Sequence, residues 1–98
     1  MEKHTPHCPL ARVKSLVLEQ RVHFTRTALE GAARLGFDAD GVLTVLNGLT
    51  MKDFYKSMTT HANHRIWQDV YRPTTIAGEV YLKLTVVDDL LIVSFKEL

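Results

Sequence analysis

VYLKLTVVDDLLIVSFKEL, residues 80–98, decides the fold. Val80, Leu82, Leu84 and Val86 alternate with Glu79, Tyr81, Lys83 and Thr85, so a strand over 78–87 has one apolar and one polar face. In a second strand, over 90–96, Leu91, Val93 and Phe95 alternate with Ile92, Ser94 and Lys96. A two-residue turn at Asp88 and Asp89 pairs Val87 with Leu90, which sets Leu84 opposite Val93 and Leu82 opposite Phe95. Every inner pair is then apolar. The same register puts Tyr81 opposite Lys96 on the polar face, with Cβ atoms roughly 5 Å apart. A phenol beside an ammonium is suited to proton transfer or to holding phosphate, although such pairs also decorate solvated sheets.

Working back from this hairpin, β-branched and aromatic residues in short runs predict further strands near 54–60 and 66–72. Pro73, Thr74, Thr75 and Gly78 punctuate the sheet, and 61–65 reads as a loop. Alternation fails in these two strands, because Lys56 shares its side with Phe54 and Met58, and Gln68 with Ile66 and Val70. Periodicity therefore does not place Lys56 or Gln68.

The first half reads as helices. Pro9 suits a helix start, and Leu10, Val13, Leu16 and Val17 recur at helical spacing through about Glu19. Val22 to Phe24 reads as a short extended link. Thr27 and Glu30 form a possible capping box ahead of a stripe of Ala28, Leu29, Ala32 and Leu35, closed by Gly36. Asp38 or Asp40 can cap a third helix carrying Val42, Leu43, Leu46 and Leu49. Helices followed by consecutive strands predict an α+β fold, with N-terminal helices packed on one face of a C-terminal antiparallel sheet.

The bulk properties bound the function. The 98 residues suffice for one domain and one modest core, so 1–98 is read as a single unit. The longest aliphatic run, Leu90 to Val93, is far short of the roughly 20 apolar residues of a membrane span. Glu2, Lys3, Arg12, Lys14 and Glu19 break up any secretory h-region, and Cys8 has no disulfide partner, so a cytoplasmic location is expected. The net charge of +1 does not announce a nucleic-acid binder. Its distribution says more: no acid lies between Asp53 and Asp69, where Lys56, His61, His64 and Arg65 form a possible anion-facing patch. A solvated loop is the competing reading.

The strings DFYKSMTT at 53–60, IWQDVYRP at 66–73 and the closing VYLKLTVVDDLLIVSFKEL, with the opening MEKHTPH, resemble the MqsR family of type II toxins. The resemblance spans the chain and is strongest after Asp53. It implies a RelE-like ribonuclease fold and messenger RNA cleavage, independent of the ribosome, at a GC-containing triplet resembling GCU. It also implies a co-encoded antitoxin that binds zinc and carries a helix-turn-helix, through which alone DNA would be contacted. Carried over residue by residue, the family's catalytic positions fall on Lys56, Gln68, Tyr81 and Lys96. The loop HANHR at 61–65 is richer in His than the family pattern, and His61, His64, Arg65 and Arg72 are this chain's own candidates for substrate binding.

Those residue types fit RNA cleavage without a metal or other cofactor. The RNA's own 2′-hydroxyl is the nucleophile, so the protein supplies a proton acceptor, a proton donor and positive charge for the phosphorane. Lys56 and Lys96 suit the charge, Tyr81 acid or base work, and Gln68 the orientation of phosphate or base. Zinc at His4, His7 and Cys8, or at His61 and His64, lacks a full ligand set. Two rival readings remain: a non-catalytic RNA-binding module stacking bases on Phe54, Tyr55, Trp67 or Tyr71, most of which are expected in the core, and an interaction-only subunit.

Overall fold

Thr25 opens the best-defined helix. In the computed structural model, which describes residues 1–98, its hydroxyl accepts a hydrogen bond from the Ala28 N–H at 3.0 Å and starts α2, Arg26–Arg34. The capping box expected at Thr27 and Glu30 does not form, because Thr25 takes the cap and Glu30 turns outward to Arg26 at 3.6 Å. Ala28, Gly31 and Ala32 form the buried face, and Leu29 of the expected stripe is exposed. Before it, α1 (Leu10–Leu18) starts at Pro9 and buries Val13, Leu16 and Val17. After it, α3 (Ala39–Asn47) is capped by Asp38, whose carboxylate accepts from the Gly41 N–H at 2.8 Å.

Seven strands follow or flank the helices: β1 (Glu2–Lys3), β2 (Val22–Phe24), β3 (Phe54–Thr59), β4 (Trp67–Tyr71), β5 (Thr74–Thr75), β6 (Gly78–Val87) and β7 (Asp89–Glu97). They lie in the order β1-β3-β4-β6-β7-β2, and β5 pairs with β6. The fold is α+β as expected, but the sheet is not wholly antiparallel. The stretch read as a link, Val22 to Phe24, is an edge strand parallel to β7, and β1 adds the opposite edge. A three-residue edge carries too little periodicity to be read from sequence, and only the ladder to Leu90, Leu91 and Ile92 makes it a strand.

Helices cover the inner face, where Leu16, Ala28, Ala32, Val42 and Leu46 meet Tyr71, Val80, Leu82, Leu84, Leu90, Ile92 and Phe95. Gly31 allows α2 to lie directly on β7: a Cβ there would sit 2.2 Å from the Phe95 carbonyl oxygen. Asp69 is buried on this face and accepts the backbone N–H groups of His7 and Cys8, both at 3.0 Å, binding the N-terminal segment to the sheet. No helix is long and apolar enough to cross a membrane.

The β6–β7 hairpin corrects the expected register at one end. Val87 pairs with Asp89 around Asp88, at φ +66, and Leu84 pairs with Ile92 rather than Val93. A bulge then absorbs Val93, after which Leu82 pairs with Phe95 and Tyr81 with Lys96, as the sequence predicts. The tighter turn slips the register by one residue, exchanging the faces of β7, and the bulge restores it. Leu90 and Ile92 are therefore buried, while Leu91 and Val93, expected inside, are half-buried on the outer side.

Candidate active site

The outer face of the sheet carries no helix. Strand pairing assigns its residues in rows. Lys56 pairs with Val70, Val70 with Lys83 and Lys83 with Ser94. Two residues toward the lower end, at Phe54 and Tyr71, comes the Tyr81–Lys96 pair. Two residues toward the upper end, at Thr59 and Trp67, comes the row of Met58 and Gln68, beside Thr85 and Leu91.

The lower end concentrates positive charge around aromatic rings. Lys96 Nζ stands 5.3 Å from the Tyr81 ring centre and Lys83 Nζ 5.8 Å from it. Lys56 Nζ lies 5.4 Å, and the Arg72 guanidinium 4.8 Å, from the Tyr55 ring. Neither Lys83 nor Lys96 is among the ion pairs of the protein, whereas Lys56 pairs with Glu2 of β1. The hydrogen bond between these two holds the Glu2 carboxyl below its ordinary range and the Lys56 ammonium above its own. Lys83 goes the other way: burial, then the neighbouring Lys96 and Lys56 ammoniums, favours its neutral form.

Of the sequence candidates, Lys56, Tyr81 and Lys96 share this lower half, with Arg72 beside them. Gln68 lies on the same face but four residues up-sheet from Tyr81, which at about 3.3 Å per residue is about 13 Å away. His61, His64 and Arg65 are exposed on the loop beyond the upper end and are not brought to the Tyr81–Lys96 pair. Sequence reading missed Lys83 as a site residue, although its place on the polar side of β6, two residues from Tyr81, was the available signal. Tyr55, named from sequence only as a possible base-stacking residue, sits at the irregularity between Phe54 and Lys56.

The aromatics divide. Tyr71 is fully buried, Phe54 packs against the core, and Tyr55 is exposed. Trp67 stacks on His7 at 5.6 Å under the Lys3 ammonium, which donates to His7 Nδ1 at 3.1 Å. His7 thus belongs to a stacked cluster, and no three His, Cys, Asp or Glu side chains converge as a metal site.

Comparison with known proteins adds to the geometry. The profile of a family described as "Motility quorum-sensing regulator, toxin of MqsA" matches residues 5–97. The mRNA interferase toxin MqsR of Escherichia coli (strain K12) is 59% identical over 97 residues, covering 99% of this chain and 99% of its own length.

Proposed function

The chain belongs to the MqsR toxin family, and on that premise we propose that it is a toxin endoribonuclease that cleaves messenger RNA on its outer sheet face. The observation that carries this reading is Tyr81 flanked by Lys83 and Lys96 without a carboxylate partner. A phosphodiester needs such a place: anionic substrate is attracted, and no resident acid competes for the ammoniums.

Cleavage proceeds by attack of the 2′-oxygen on phosphorus with departure of the 5′-oxygen, leaving a 2′,3′-cyclic phosphate and a 5′-hydroxyl. Tyr81 exchanges a proton with one of these oxygens. Lys96 and Lys56 stabilise charge on the non-bridging oxygens, where each well-placed donor contributes about 3 kcal/mol. Lys83, whose ammonium burial and the neighbouring Lys96 and Lys56 make a better proton donor than an ordinary lysine, joins Tyr81 as the second proton-transfer group. Gln68 orients the substrate further up the face. Arg72 at the lower end, and His61, His64 and Arg65 at the upper, flank the path of the strand.

The reaction uses neither metal nor other cofactor, because ammonium groups fill the electrostatic role that a divalent cation otherwise has. It needs no ribosome, and the target is a GC-containing triplet resembling GCU. Residues 1–98 act as one domain in the cytoplasm. The partner is an antitoxin of the MqsA kind, zinc-binding with a helix-turn-helix, and DNA is reached only through it.

Purified protein incubated with a defined messenger RNA, with cut sites mapped by primer extension, tests the reading. Discrete cuts at one triplet that persist in EDTA are expected. Intact RNA overturns the enzyme, and cleavage abolished by chelation but restored by Mg²⁺ or Zn²⁺ overturns the metal-free chemistry.

A further inference from the structure

The upper half of the outer face holds a groove that the proton-transfer chemistry leaves unused. It has a volume of about 570 Å³ and runs between the end of the β3–β4 loop and the β6–β7 turn, with Ile66, Val87, Leu91 and Val93 as its apolar lining. The one-residue slip at the Asp88 turn gives it that character by placing Leu91 on the outer side, and the bulge adds Val93 beside it.

Its polar groups are almost all committed. Thr25 donates its hydroxyl to the Val93 carbonyl at 2.8 Å, Thr60 to Asn63 at 2.8 Å, and Thr85 to Trp67 at 2.6 Å. His23 and Asp89 bond each other at 2.9 Å. Only the Gln68 amide is left without a partner in the protein, although it is half-buried. An amide presents a donor and an acceptor side by side, the pattern that matches a nucleobase edge.

We propose that this groove is a nucleobase subsite, in which the Gln68 amide reads the edge of one base of the RNA beside the scissile phosphate. The inference rests on the ribonuclease reading and deepens it. A phosphate does not suit the groove, since its lining is apolar and its one cationic candidate, His23, faces Asp89. A base does: it has apolar faces, a hydrogen-bonding edge and a planar shape. The phosphates that flank it have the Lys56 and Lys83 row on the same continuous face, two residues or about 7 Å below Gln68. On this view Gln68 selects the sequence that is cut and does not touch the reacting atoms.

The test uses purified full-length protein and short RNAs, each with one cleavable target, in which the bases around the cut are changed one at a time. A parallel series carries a single abasic nucleotide at each position. Wild type is expected to discriminate at one position by about 5- to 100-fold in cleavage rate. In Gln68→Ala and Gln68→Leu the rate on the preferred RNA falls to that of its variants at that position only, and an abasic nucleotide there slows the wild type while leaving these variants unaffected. The abasic series on wild type keeps the question answerable if a Gln68 variant does not fold, since loss of activity at no single position overturns the subsite. A uniform fall on every RNA in the Gln68 variants, with the base preferences intact, assigns Gln68 to the reacting phosphate and overturns the inference alone. Wild type that cleaves none of the RNAs overturns the ribonuclease reading and the subsite with it.

Discussion

The two ends of the outer face treat charge in opposite ways. At the upper end Asp89 accepts from Arg21 Nε at 2.8 Å and from His23 Nε2 at 2.9 Å, so a carboxylate and two basic groups satisfy one another. At the lower end Lys83 and Lys96 crowd Tyr81 with no acid between them. Stability alone favours the first arrangement. Burying Lys83 beside two like charges has a cost, seen in the lowering of its ammonium below the ordinary lysine range. A sheet that pairs its charges at one end and leaves Lys83 and Lys96 without a carboxylate at the other has the contrast that the proposed anion site requires.

The largest effects should separate the two ends cleanly. Tyr81→Phe removes one hydroxyl and Lys96→Ala one exposed charge, so each should leave the melting temperature within the range of surface substitutions. Cleavage should fall by about a hundredfold or more in each. The double variant should lose much less than the product of the two losses if both act on one transition state. At the other end Arg21→Ala should keep cleavage within about twofold. Folded, fully active Tyr81→Phe and Lys96→Ala proteins would remove the functional meaning of the contrast.

Lys83→Met sharpens it, because here activity and stability should move in opposite directions. Cleavage should drop by about tenfold or more, while the melting temperature at pH 7 rises, since a strained charge is replaced by an apolar chain of similar length. The wild-type Lys83 ammonium titrates below its ordinary 10.5 in the folded state, so between the depressed value and 10.5 the unfolded chain binds more protons. Wild-type stability should therefore gain from rising pH across that window, and the Met variant should lack that gain. Melts at pH 7 and near 10 decide it; a variant that melts lower than wild type at pH 7 contradicts the account.

How much of this was legible depends on where periodicity survives. Tyr81 and Lys96 could be paired from sequence because both lie beyond the bulge, where strict alternation holds. The turn end could not. A one-residue slip at Asp88 and an extra residue at Val93 cancel, so the sequence pattern looks uninterrupted while the faces of Leu90 to Val93 are exchanged. Lys56 and Gln68 were beyond reach of periodicity, since β3 is irregular at Tyr55 and β4 is buried on both faces at Asp69 and Val70; only the resemblance to MqsR toxins marked them. That Gln68 stands apart from Tyr81 is a matter of strand stagger, which one strand's sequence does not contain. Val93→Ala checks the corrected register: at a half-buried bulge it should cost less than about 1 kcal/mol, below the usual toll of a truncated core side chain. A loss of core size in urea unfolding would return Val93 to the inner face.

The smallest effect belongs to the satisfied end. Asp89 has its carboxyl held below the ordinary 3.8, first by the hydrogen bond from His23 and then by that from Arg21. A carboxyl with a lowered folded-state value stabilises the protein fully above its unfolded value, and that contribution disappears as pH falls through the folded one. Asp89→Asn should therefore melt slightly below wild type at pH 7, and the gap should close as pH drops below about 4. Because the groups are solvent-exposed, added salt should narrow the gap as well. If the gap instead persisted at pH 2, the carboxylate charge would not be what joins Arg21 and His23, and the upper end would owe its order to packing of β2 against β7, leaving the contrast with the lysines at Tyr81 as one of burial and not of charge.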